Sequence, residues 1–364
     1  MNVQNIIDFF EEISPLAYAE SFDNIGLLVG NPSNKVSGIL ITLDTTECVV
    51  AEAIEKKCNL IVSFHPIIFN GVKKLTGETY VERAVIKAIR HDIAIYAIHT
   101  ALDNSFWGVN ARICEILGLS TRKILIPQRE TLQKLITFVP ENQAEILRKK
   151  LFEAGAGNIG NYSDCSFNLS GVGTFKGNEH SNPVIGEKNI LHHEKETQIG
   201  IIFPKHVQNK VLEALFKNHP YEEVAYEIYT LKNTHQHIGL GMLGELSQVL
   251  SEIDFLQMLK DKMQTDCIRY SAFTGKPIKK VAVLGGSGAF AIGNAIKAQA
   301  DAFVTADVKY HEFFQAENKI LIADIGHYES EQFTKNLLFE KLTKKFPNFA
   351  PVLIAQNTNP IKYL

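Results

Sequence analysis

The chain is 364 residues long, 45% hydrophobic and 21% charged, with a formal net charge of −3. That composition belongs to an ordinary globular protein with chain enough for two or three domains, and it lacks the basic excess that nucleic acid or an anionic membrane calls for. There is no apolar run long enough to span a bilayer, no leader-like opening, and no Cys-x-x-Cys pair among Cys48, Cys58, Cys114, Cys165 and Cys267, so a cytoplasmic protein without disulfides or a thiolate zinc site is expected.

Val3, Ile6, Ile7, Phe10 and Ile13 form one stripe at helical spacing, and Ser14-Pro15 ends that helix. Phe22 to Gly30 reads as a turn into a short buried strand. Strands are then expected at 39–43, 60–64 and 93–98, with helices at 46–57, 80–91 and 107–117. Apolar strands alternating with helices predict a largely parallel sheet covered on both faces.

The pattern changes after residue 128. A strand at 134–139, a helix at 142–154, a glycine-rich polar stretch, a strand at 199–203, a helix at 207–218 and a strand at 224–229 follow. Strand–helix–strand twice over is the ferredoxin-like split arrangement, which predicts a small α+β domain inserted at 129–232 between core segments 1–128 and 233–364. Strands at 280–284, 302–305 and 319–325 resume the first pattern.

The two outer segments resemble each other. Leu43 is followed 22 residues later by His65, and Leu284 is followed 23 residues later by Asp307. His99 and His327 then end the third strand of each half, with Asp103 and Glu331 four residues beyond. A duplicated, two-lobed α/β core is expected, in which His65 matches Asp307, His99 matches His327 and Asp103 matches Glu331.

Ligands in open parallel sheets gather outside the carboxyl ends of strands, where His65, His99, Asp307 and His327 fall. His327 and Glu331 share one face if a helix starts near Gly326. Imidazole with carboxylate suits zinc, iron, nickel or manganese. His99 reads as a group that orients Asp103, Asp307 and His311 as site-lining, and Asp44 and Lys73 as cleft residues. His192-His193, beside Glu194, reads as a solvated loop, and His219 as a turn residue. Gly285-Gly286-Ser287-Gly288-Ala289-Phe290-Ala291 loosely fits a dinucleotide fingerprint with Asp307 about 20 residues on, but a tight turn that needs glycine explains it equally well.

Several segments together resemble the Nif-three-like dinuclear metal-centre family, whose members are named GTP cyclohydrolase 1 type 2 homologues. They are Phe22-Asp23-Asn24-Ile25-Gly26-Leu27-Leu28-Val29-Gly30, Phe64-His65-Pro66-Ile67-Ile68-Phe69, His99-Thr100-Ala101-Leu102-Asp103-Asn104, Gly285-Gly286-Ser287-Gly288 and Gly326-His327-Tyr328-Glu329-Ser330-Glu331. Phe152-Glu153-Ala154-Gly155-Ala156-Gly157 and His219-Pro220-Tyr221-Glu222-Glu223 resemble the PII-like (CutA-like) domain of longer members. The resemblance implies a toroidal homohexamer with two divalent metals per chain, held through His65, Asp103, His327 and a bridging Glu331. The chain departs from the family's His-His-Pro segment, because Phe64 stands where the first histidine would be. One well-held metal and a weaker second are therefore expected. The implied function is a metal-dependent hydrolase of a nucleotide or other phosphate-bearing substrate. The alternative is a non-catalytic, metal-binding scaffold or regulatory assembly.

Overall fold

Asn2 accepts a hydrogen bond from Asn5 N while the Asn5 side chain accepts one from Asn2 N, and this reciprocal cap starts helix α1 (Val3–Ile13). Its buried stripe, Val3, Ile6, Phe9 and Phe10, faces the core. The computed structural model describes all residues, Met1–Leu364. It divides into a unit made of Met1–Pro127 and His237–Leu364 and a unit made of Gln128–Gln236.

In the first unit, strand β1 (Gly26–Val29) precedes β2 (Ile39–Thr42), α2 (Glu47–Glu55), β3 (Leu60–Ser63), α3 (Tyr80–Arg90) and β4 (Ala94–Ala97). Strands β2, β3 and β4 are parallel neighbours and buried at every residue, which is why they read as unbroken apolar runs. β1 adds antiparallel to β4. Short α4 (His99–Asp103) and α5 (Val109–Leu117) lead to β5 (Ser120–Pro127).

The second unit contains β6 (Leu132–Pro140), α6 (Ala144–Glu153), β7 (Ser166–Phe175), β8 (His192–Pro204), α7 (Gln208–Asn218) and β9 (Tyr226–Thr230). Its sheet has the order β7-β8-β6-β9, and every pair is antiparallel. Leu135, Val139, Ile199, Ile201 and Phe203 of the sheet pack on Leu147, Leu151, Val211 and Leu215 of the helices.

The chain then returns to the first unit. β10 (Gly239–Leu250), α8 (Glu252–Met263), β11 (Arg269–Tyr270), β12 (Ile278–Ser287), α9 (Ile292–Lys297), β13 (Ala302–Ala306), β14 (Leu321–Asp324), α10 (His327–Glu331), α11 (Thr334–Lys345) and β15 (Val352–Leu353) complete it. Strands β12, β13 and β14 are parallel, with β11 antiparallel on β14. This repeats β2, β3 and β4 with β1 on their edge, so the core is a duplicated α/β structure. The two sheets run β1-β4-β3-β2-β15 and β11-β14-β13-β12-β10-β5. One apolar core joins them, containing Ile39, Val62 and Tyr96 from one sheet and Val281, Val304 and Ala323 from the other.

The structure departs from the sequence expectations where strands lack an apolar run. β10 extends the second sheet antiparallel to β12, and β5 adds antiparallel to β10, although β10 is interrupted by glycines such as Gly241 at φ +65°. His192 and His193 are not a free loop. They begin β8 and pair with Phe175 and Thr174, because backbone hydrogen bonds across β7 hold a polar segment extended. Phe10 is fully buried and stacks on Tyr96 with ring centroids 5.6 Å apart. Phe10→Ala is expected to lower the stability of this unit by about 3–5 kcal/mol in urea titration, as large cavities in cores do; a loss under ~1 kcal/mol would show the ring is not held.

Candidate metal centre

The carboxyl edge of each parallel sheet presents one half of the site. In the first, Phe64 N donates to Thr42 O and His65 N to Leu43 O, which carries the strand alignment one step past β3 and brings His65 to the sheet edge. In the second, Gly326 turns the chain out of β14 at φ +91°, and a Cβ there would lie 2.2 Å from Glu329 Oε2. Only glycine suits that turn. Helix α10 begins at once and sets His327 and Glu331 four residues apart on one face.

The two halves converge on a buried carboxylate oxygen. His65 Nε2 lies 3.1 Å and His327 Nε2 3.2 Å from Glu331 Oε2. The ligand atoms of these three side chains all lie within 4.8 Å of one another. Each ring is held from behind by another carboxylate. His65 Nδ1 is 2.8 Å from Asp44 Oδ1, and His327 Nδ1 is 2.6 Å from Asp307 Oδ2. A carboxylate on Nδ1 fixes the proton there and aims the Nε2 lone pair forward. Glu331 Oε2 is buried and neither ring is aligned to donate a hydrogen bond to it. Two ring nitrogens facing a buried anionic oxygen call for positive charge among them, either as protons or as a cation, so the donor set fits a divalent metal.

The electrostatics agree. Burial alone would lower the His65 pKa, but the Glu331 and Asp44 carboxylates outweigh it and push the pKa up to about 10. Burial likewise opposes charge on His327, and Glu331 and Asp307 push its pKa to about 9. Burial would raise Glu331, yet His65 and His327 hold it well below the usual carboxylate range.

The structure gathers three of the four residues expected as ligands. Asp103, at the end of α4, stands outside that triad. Its Oδ1 is buried with no hydrogen-bond partner, and burial followed by the Glu331 charge pushes its pKa well above normal. An orphaned carboxylate oxygen in the field of His65, His327 and Glu331 is a further sign that a cation belongs nearby. His99 is held by Asp23: its Nδ1 lies 2.9 Å from Asp23 Oδ1, and Asp23 Oδ2 also accepts from Thr100 N and Oγ1. Phe64 is fully buried and packs edge-on against His99 with centroids 5.5 Å apart, so it contributes apolar contact at that position.

The glycine run forms the end of β12, where the pairing with β13 shifts register between Val283 and Ser287. Gly285 N donates to Asn110 Oδ1 and Gly286 N to Ser330 Oγ, so these two amides are already committed. Gly286 has φ +69°, and a Cβ there would lie 2.4 Å from Glu331 Oε1. The glycine lets the β12 backbone approach Glu331. Asp307 is likewise committed, to His327 and to Ser287 Oγ. Lys73 lies elsewhere, in a groove with Leu28, Val72 and Leu75.

Three contributors escaped sequence reasoning. Asp23 orients His99; Thr358 Oγ1 donates to Asp44 Oδ2 at 2.7 Å; and Asn359 Nδ2 donates to Glu329 Oε1 at 2.9 Å. Asp23 sits inside a recognisable motif, but nothing local ties it to a histidine 76 residues away. The Thr358 and Asn359 contacts come from an irregular tail that carries no periodic signal.

The Duf34/NIF3 (NGG1p interacting factor 3) family profile matches residues 1–360. The chain belongs to this family. A Bacillus subtilis member named GTP cyclohydrolase 1 type 2 homolog is 39% identical over 372 residues, which covers 100% of this chain and 99% of that protein. The solved structure of a Bacillus cereus protein related to NIF3 superposes with a TM-score of 0.85 at 37% identity, over 100% of this chain and 99% of that one. A Staphylococcus aureus structure gives 0.80 at 30% identity with the same coverage.

The carboxylates behind the imidazoles should matter to affinity. Asp44→Asn or Asp307→Asn is expected to weaken metal binding by roughly 10–100-fold in competition with a chromogenic chelator, as losses of such orienting partners do. An unchanged affinity would exclude that role. Because a cation must displace protons from His65 and His327, affinity should rise by up to ~100-fold per pH unit between pH 6 and 8; a flat profile would show that both rings are already unprotonated. In the metal-free protein both histidine pKa values lie above the ordinary 6.5. Their stabilising contribution is therefore complete below about pH 6.5 and is lost as pH rises through 9 to 10.

Proposed function

We propose that this family member is a divalent-metal-binding protein that acts as a metal-dependent hydrolase on a nucleotide-type substrate. The observation that carries the reading is the convergence of His65 Nε2 and His327 Nε2 on the buried Glu331 Oε2. His65, His327, Glu331 and Asp103 are the proposed ligands, with zinc, iron, manganese or nickel as the metal. Two borderline nitrogen donors and carboxylate oxygens suit that group of ions. When bound, a divalent cation would polarise a phosphoryl or carbonyl oxygen and make water a competent nucleophile near neutral pH.

The chain's own residues supply position and charge. Asp44 and Asp307 fix the two imidazoles, Asp23 fixes His99 against Phe64, and Gly286 keeps the wall beside Glu331 free of a side chain. Asp103 is the one buried acid near the triad whose raised pKa keeps a proton available, so it serves either as a ligand once deprotonated or as a proton donor at the site. The name of the Bacillus subtilis relative supports GTP as the first substrate to test.

A second reading has its own observation. Phe64 fills with an apolar ring the position where the family pattern has a ligand, which favours one metal per chain and a scaffold or regulatory role without turnover. In either case the working form we propose is a cytoplasmic homohexamer, with residues 129–232 as a PII-like insert. No helix is long and apolar enough to cross a membrane. The acidic balance is against nucleic acid as a partner.

Metal content per chain, measured by elemental analysis after reconstitution and desalting, separates these readings. About one metal in the natural protein and two in Phe64→His is expected. Two in the natural protein would mean another group replaces the missing histidine, and none in either would remove the metal-centre reading. GTP conversion should vanish with chelator; conversion that is absent or insensitive to chelator at high protein concentration would leave the scaffold reading.

A further inference from the structure

The unit of residues 128–236 has a cleft of its own, about 820 Å³ in volume, within the range of small-molecule sites. It lies between β7, the loop at 176–191 and the turn that precedes β9. Phe138, Val172, Phe175, Val184 and Ile185 give it apolar walls. Asn182 N donates to Glu222 Oε1 at 2.7 Å and ties the loop across to that turn.

On its floor is Glu196, only 8% exposed. One carboxylate oxygen accepts from Tyr221 Oη at 2.7 Å. No lysine, arginine or histidine is ion-paired with it. His219 cannot supply a countercharge: its Nδ1 accepts from Tyr221 N and its Nε2 donates to Phe138 O, so the ring is neutral. A mostly buried carboxylate with one neutral donor and no cationic partner leaves acceptor capacity open to an arriving cation.

The strand over Glu196 is built to leave room. Gly171 pairs directly with Glu196 across β7 and β8, and Gly173 is so close that a Cβ would lie 2.1 Å from Glu196 Oε2. Glycines inside a strand weaken it and mark places where another group approaches the backbone closely. Gly171 meets nothing within 4 Å on its open side, so the approach to the carboxylate is clear. Glu222 and Glu223 add negative charge to the lining, against Lys176 alone.

We propose that this cleft binds a hydrophobic amine, with the ammonium group on Glu196 and an aromatic or aliphatic body against Phe138, Phe175 and Val184. The site is lined only by residues of the 128–236 unit, and the proposal does not rest on the function of the metal centre.

The test uses the full chain and tryptamine as the probe, followed by isothermal titration, with indole-3-propionate as the charge-reversed control. Saturable binding of one tryptamine per chain is expected, at least tenfold tighter than indole-3-propionate. Glu196→Gln keeps an acceptor for Tyr221 but removes the charge, and should weaken tryptamine at least tenfold. Gly171→Leu, directly across from Glu196 and on the same face, where a Cβ meets nothing within 4 Å, should fill the approach and abolish binding even if Glu196→Gln fails to fold. No saturable binding to the natural protein, an affinity unchanged by Glu196→Gln, or binding that survives Gly171→Leu would each overturn the proposal.

Discussion

Glu331 is an almost fully buried carboxylate whose Oε2 receives no hydrogen bond, and both lobes of the core are arranged around that oxygen. The first lobe sends His65 to it from the end of β3, and the second sends His327 from the same short helix that carries Glu331. A buried charge in this state is stable only with a countercharge. Protons on the two imidazoles can supply it, and so could a divalent cation, since the three ligand atoms lie within 4.8 Å of one another.

That requirement accounts for features that otherwise look unrelated. Gly286 and Gly326 both take positive φ, and both stand where a Cβ would strike a glutamate of the last motif. Asp23, Asp44 and Asp307 each sit behind a histidine, so three similar dyads line the carboxyl edges of the two sheets. Duplication of a β–α–β–α–β unit explains why the dyads of His99 and His327 look alike: each histidine opens a five-residue helix after the third parallel strand. The copies have since diverged in role. His65 faces the shared carboxylate, whereas Asp307, its counterpart, holds a neighbouring ring.

The unit of residues 128–236 follows a different design. Its four strands are antiparallel, its helices pack on the sheet's apolar residues, and its buried acid has no paired cation. Buried carboxylates thus occur in both units with opposite solutions. In the core, histidines balance the charge; beside β7, open space is left where a ligand can do so.

Much of the core was legible in the order of residues, because parallel strands buried on both faces must be apolar throughout and their helices must repeat at 3.6. Spacing was enough to bring His65, His99, Asp307 and His327 to strand ends and to pair His327 with Glu331, while the family resemblance singled out His65, Asp103, His327 and Glu331. Polar or glycine-broken strands were harder: β5, β7, β10 and the start of β8 are held by hydrogen bonds to neighbours far along the chain, and such pairing leaves no periodic trace. The partners of the histidines belong to the same class. Which carboxylate holds His99, and what the glycine run makes room for, depend on groups brought together only by packing. Local pattern determines which elements form; the balance of buried charge between distant elements is a property of the folded whole.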